Sequence, residues 1–173
     1  MLTISVTVII AIFVALMARQ LKISEFRQGW IDGIRKDISE FISKAHEWID
    51  LYIEFNGEAD QKVKADLAPK LGRIKYDAFH VLWRIELRFK PNDTEANDLL
   101  LTLKDLLNPG KLTPDNQYSR WRSLADSSVL KARTLLKEEW ETTKNPFRKL
   151  LSFLLRKFWP NKAFNRTPEN GAG

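Results

Sequence analysis

Hydrophobic and polar positions fall into distinct regimes along the chain. Residues 1–18 carry no charge, no Pro and no Gly, and their only polar side chains are Thr3, Ser5 and Thr7. Residues 24–144 mix apolar and charged positions at helical spacing. Residues 147–159 read FRKLLSFLLRKFW, and the remaining tail is polar. The expected fold class is all-α. An N-terminal transmembrane helix (1–23) precedes an antiparallel helical bundle (24–144), a short basic amphipathic helix (145–160) and a disordered tail (161–173).

The first run sets the expected location. Eighteen helical residues reach ~27 Å, close to a ~30 Å hydrocarbon core. Leu21 and Ile23 extend it, while Arg19 and Lys22 can bury their stems and keep their charges at the interface. A cleaved signal peptide would want basic residues before the run and a better cut site than Ala15-Leu16-Met17-Ala18. Arg19, Lys22, Arg27, Arg35 and Lys36 all follow the run. The positive-inside rule then puts the N-terminus outside and the bulk of the chain in the cytoplasm, on a bacterial inner membrane.

Within 24–55, apolar residues recur at Trp30, Ile34, Ile38, Phe41, Ala45, Trp48, Tyr52 and Phe55, which from Ile34 onward is the 4,3 alternation of a heptad seam. Asn56-Gly57 ends it. A second helical region covers 58–89, with Pro69 and Gly72 predicting a kink or a division into two helices. Asn92 and Glu95 have capping-box spacing for a short Leu-rich helix ending at Leu107. Thr113 and Pro114 open a last helix that runs to Lys144 and is closed by Asn145-Pro146.

Charge changes the picture at one end. The chain holds 28 Lys+Arg against 22 Asp+Glu. From 145 onward there are six basic residues and only Glu169 as an acid, so the excess belongs to the C-terminal segment. On a helix, Phe147, Leu150, Leu151, Leu154, Leu155 and Phe158 share one face. Arg148, Lys149, Leu151, Leu155, Arg156, Lys157, Phe158 and Trp159 therefore form a candidate membrane-surface site, with lipid as partner. The competing reading is a last bundle helix whose leucines enter the core.

Chemistry is sparse. The chain has no Cys and two histidines, His46 and His80. His46-Glu47-Trp48-Ile49-Asp50 departs from H-E-x-x-H at its last position. No Gly-rich phosphate loop and no nucleophile elbow are present. The sequence therefore predicts no enzyme, no catalytic residue, no metal and no cofactor.

The stretch 26–38, FRQGWIDGIRKDI, is the strongest motif. Gly29 and Gly33 stand at i, i+4, where small residues admit a close helix, or where a helix bends. Arg27, Gly29, Trp30, Gly33, Ile34 and Arg35 are the candidate partner surface. This motif resembles an R-Q-x-W-I-x-x-[IL]-R-x-D-[IL] segment in small bacterial single-pass membrane proteins with no assigned activity. The resemblance extends to Arg84-Ile85-Glu86-Leu87 and to Leu136-Lys137-Glu138-Glu139-Trp140-Glu141 with Lys144. It implies a helical, membrane-anchored product and carries over no site residue. The leading expectation is a membrane-anchored, non-enzymatic interaction or self-assembly module, binding a protein partner or itself. The alternatives are a bilayer-perturbing effector and a membrane-tethered nucleic-acid binder, the last least favoured.

Overall fold

In the computed structural model, the backbone is described for residues 2–144 and the side chains for 11–141 apart from Pro114. Helix α1 runs unbroken over Leu2–Gly57. The sequence explains its length: no Pro occurs before Pro69, and only Gly29 and Gly33 interrupt its side chains before the end. Helix α2 spans Gln61–Glu86, α3 spans Thr94–Asp105 and α4 spans Gln117–Lys144. Two 3₁₀ turns, Pro109–Lys111 and Pro114–Asn116, bridge α3 and α4.

Side chains fix the helix starts. The Glu58 carboxylate accepts the N–H groups of Ala59 and Asp60, each at 2.8 Å. Those bonds to the charged form hold its pKa below the usual value. Asp60 then caps α2 through Lys62 N–H at 2.8 Å. At α3 the cap is Asp93, which accepts Ala96 N–H at 3.0 Å. The cap therefore falls one residue after the expected Asn92, and with Ala96 at its third helical position it is a simple cap in place of the expected Asn92–Glu95 box. Thr113 precedes a 3₁₀ turn and makes no side-chain cap, so α4 begins at Gln117, three residues later than a Thr113 cap with Pro114 at N1 placed it.

Pro69 does not divide α2. It lies on the exposed side of the helix, as does Ala65, whose carbonyl loses its N–H partner. Water can satisfy that carbonyl, so the interruption costs less than it would inside a core.

The helices form an antiparallel bundle. Trp30 meets Phe89 near one end of the α1–α2 pair, and Lys75 stands over the Trp48 ring toward the other. Helix α4 also opposes α1, because His46 stacks on Trp121. Helix α3 lies against α4, with Lys131 2.6 Å from Asp98. The core gathers Ile34, Ile38, Phe41, Ala45 and Trp48 from the predicted seam. Ile31 and Ile49 are also fully buried. They widen the seam because α1 packs on two neighbours at once.

The membrane reading is corrected here. Among the described residues, no helix is long and apolar enough to cross a membrane. The backbone of 2–18 is the start of α1. The 1–23 anchor is therefore withdrawn, and so are the resemblance to single-pass proteins, the inner-membrane placement, lipid as partner and the bilayer-perturbing role. A membrane-tethered nucleic-acid binder falls with them, and the bundle stands as an all-α domain. The 145–160 helix and the 161–173 tail lie outside the described residues, as do all eight candidate membrane-surface residues.

Candidate functional site

The 26–38 motif meets the end of α2 inside this chain. Asp37 is 4% exposed, and its carboxylate oxygens lie 2.9 Å from Arg84 Nη2 and 2.8 Å from Arg88 Nε. Arg84 also pairs with Glu40. That hydrogen bond, followed by the nearby charge of Asp37, raises the Arg84 pKa against the opposing effect of burial. Trp30 donates its indole N–H to Arg88 O at 3.3 Å and packs edge-on against Phe89, with ring centroids 5.7 Å apart.

The six candidate partner residues have diverse places around this junction. Ile34 is fully buried in the core. At Gly33 an added Cβ would come within 2.9 Å of Arg88 Nη1, so its missing side chain makes room for that guanidinium. Gly29 has no such neighbour. Arg35 is exposed and 3.2 Å from Asp32, and Arg27 already takes part in an interaction. Trp30, Gly33 and Ile34 thus serve α1–α2 packing, while Arg35 faces a different feature of the surface.

That feature is a groove of about 930 Å³ between α1 and α4. Its apolar lining comes from Ile38 and Ile42 on α1, and from Val129, Leu130, Ala132, Leu136 and Trp140 on α4. Leu130 is 64% exposed and Trp140 37% exposed. Arg35, Arg133 and Lys137 supply three cations to the lining, with Gln28, Ser39 and Thr134 as neutral polar groups and, among the described residues, no carboxylate. Asp32 and Glu141 approach from outside it, at 3.2 Å from Arg35 and 3.9 Å from Lys137. Both are exposed surface pairs that exchange readily with solvent or another partner. Gln28 and Arg35 belong to the first motif, and Leu136, Lys137 and Trp140 to the third. Sequence patterning marked both stretches, but not that they face one another.

Elsewhere the polar groups serve packing. His46 lies at the edge of the α1–α4 pair, with Nε2 2.9 Å from Tyr118 Oη. Trp121 donates its indole N–H to Leu106 O at 3.1 Å in a buried setting. Glu95 is held above the usual carboxylate range, chiefly by the charge of Glu138 across the α3–α4 contact. No group of three His, Cys, Asp or Glu residues suited to a metal ion occurs among the described residues.

No family model matches the chain, and no curated protein or solved structure matches it.

Proposed function

We propose that the chain is a non-catalytic helical binding module whose ligand is an amphipathic, acidic helix seated between α1 and α4. The observation that carries this reading is the lining of the groove: an apolar floor beside three cations, with no acid among the described lining residues. Helix-in-groove recognition uses this combination. Apolar side chains at i, i+3, i+4 and i+7 fill the floor, and carboxylates along the flanks pair with Arg35, Arg133 and Lys137. The apolar contacts provide affinity, and the charges select the partner and its orientation.

The test is fluorescence anisotropy with two designed peptides of equal helicity and identical apolar positions, one flanked by Glu and one by Lys. The acidic peptide should bind more tightly, and added salt should narrow the difference. Arg35→Glu, Arg133→Glu and Lys137→Glu together should reverse the preference. Equal binding of both peptides to the unaltered chain, or a preference that survives the triple reversal, would remove the reading.

A further inference from the structure

Helix α2 carries a second seam on the side opposite its buried residues. Ala65, Pro69, Gly72, Tyr76, Phe79 and Trp83 recur at steps of 4, 3, 4, 3 and 4, the spacing of a helix that packs on another helix. The positions that α2 sends into the core are others: Leu67, Ala78, Val81, Leu82 and Ile85. Tyr76 is 61% exposed and Trp83 48% exposed. Their rings meet edge-on at 6.4 Å, and the partly buried Phe79 stacks on Trp83 at 6.2 Å. An ordered aromatic surface is thus held in solvent. It shares no residue with the α1–α4 groove. We propose that this face binds the same face of a second copy of the chain, with the two α2 helices antiparallel.

The seam is self-complementary. Its first half is small, with Ala65, Pro69 and Gly72, and its second half is large, with Tyr76, Phe79 and Trp83. A two-fold axis between Gly72 and Tyr76 lays the large half of each copy on the small half of the other. Tyr76 then meets Gly72 of the second copy, Phe79 meets its Pro69, and Trp83 meets its Ala65. Nothing lies within 4 Å of a Cβ added at Gly72, so the space for the incoming ring is open. The Trp83 layer also matches a donor to an acceptor. Pro69 leaves the Ala65 carbonyl without its helical N–H, and among the described residues the Trp83 indole N–H has no acceptor. A helical side chain covers the turn before its own Cα, which places that indole over the freed carbonyl of the second copy.

Charges agree with the same register. Asp66 faces His80 of the second copy, and two Arg73 and two Asp77 meet beside the axis. Among the described residues, neither Arg73 nor Asp77 is engaged in an ion pair within the chain. Lys75, on the other flank, is drawn inward over the Trp48 ring at 5.7 Å, so the two copies do not set it against itself. The layers from Ala65 to Trp83 extend about 27 Å. A contact of this size falls at the low end of specific interfaces, below about 1,200 Å², so the dimer is weak and reversible.

The full-length chain has no native Cys, so a bismaleimide of about 8–10 Å reach, the spacing of packed helices, reads the register directly. Asp66 and His80 are exposed. They lie about 21 Å apart along α2, too far to be linked within one chain. Chains carrying Asp66→Cys mixed with chains carrying His80→Cys, at about 0.1 mM each for a weak pair, should give covalent dimers. Either variant alone should give about fivefold fewer, because like positions stand roughly 18–24 Å apart across the axis. Gly72→Glu added to both chains should cut the mixed yield about tenfold. It should leave Tm unchanged or raised, because an added Cβ meets nothing in its own chain and Glu is the better helix former. Links formed as readily by either variant alone, a mixed yield that Gly72→Glu leaves unchanged, or no link in the mixture overturns the proposal. None of these results touches the binding role of the groove.

Discussion

Replacing Asp37 by Ala removes the only acid buried in the α1–α2 contact among the described residues. Two guanidinium groups lose a partner, at 2.9 and 2.8 Å. Deleting one member of a buried ion pair costs ~3–5 kcal/mol, largely because the remaining charge is left desolvated. Here the side chains of Arg84 and Arg88 are 40% and 32% exposed, so water recovers part of that loss. Arg84 also keeps Glu40. The expected cost is therefore ~2–3 kcal/mol, equivalent to a fall of roughly 4–12 °C in Tm for a chain of this size. Urea unfolding followed by tryptophan fluorescence measures it, with an unchanged m-value showing that the folded and unfolded states remain comparable. Combining Asp37→Ala with Arg88→Ala should be less damaging than the sum of the single changes, by at least ~1 kcal/mol. A loss below about 0.5 kcal/mol for Asp37→Ala, or strict additivity, would refute the assignment of this cluster as the clamp between α1 and α2.

Other substitutions test separate contacts. Gly29→Ala should stabilise by ~0.5–1 kcal/mol, because it meets no neighbour and gains helix propensity. Gly33→Ala should gain less or lose stability, because its Cβ displaces the Arg88 guanidinium from Asp37; the same urea assay ranks the two. Trp121→Phe should cost ~1–2 kcal/mol by leaving the buried Leu106 carbonyl without its indole donor. Glu95 has a folded pKa above its unfolded value, so the folded state holds its proton more tightly. Its stabilising contribution is full below the unfolded pKa and is lost as pH rises through the folded pKa. Glu95→Gln should therefore raise Tm at pH 7 relative to the parent more than it does at pH 4. The reverse order would contradict the Glu138 contact.

The seam from Ile34 to Trp48 and the leucines of α3 were legible in the sequence, because burial at helical spacing requires only one partner of unspecified identity. Asp37 was not. A carboxylate among charged neighbours reads as surface until α2 brings Arg84 and Arg88 against it, and those arginines lie some fifty residues away in the chain. Gly33 was legible as a site of close approach, but the group that approaches it, Arg88, comes from the turn that follows this chain's own α2. The groove combines both difficulties. Arg35 and Trp140 each stand in a recognisable motif, but only the antiparallel docking of α4 sets them along one surface. The apolar run at the N-terminus illustrates the opposite problem. Hydropathy suggested a spanning element, whereas no helix among the described residues is long and apolar enough to cross a membrane, and the backbone of this stretch continues without a break into the bundle's longest helix. Between residues 11 and 30, no side chain of that helix is buried.

The most direct measurement is an NMR titration of the isotopically labelled full-length chain with the Glu-flanked amphipathic peptide, following backbone amides and the Trp140 indole. The account predicts saturable shifts confined to Ile38, Ile42, Leu136, Trp140 and their neighbours in the α1–α4 groove. Shifts clustered on the outer face of α2, around Tyr76, Trp83 and Leu87, or no saturable shift at all, would contradict it.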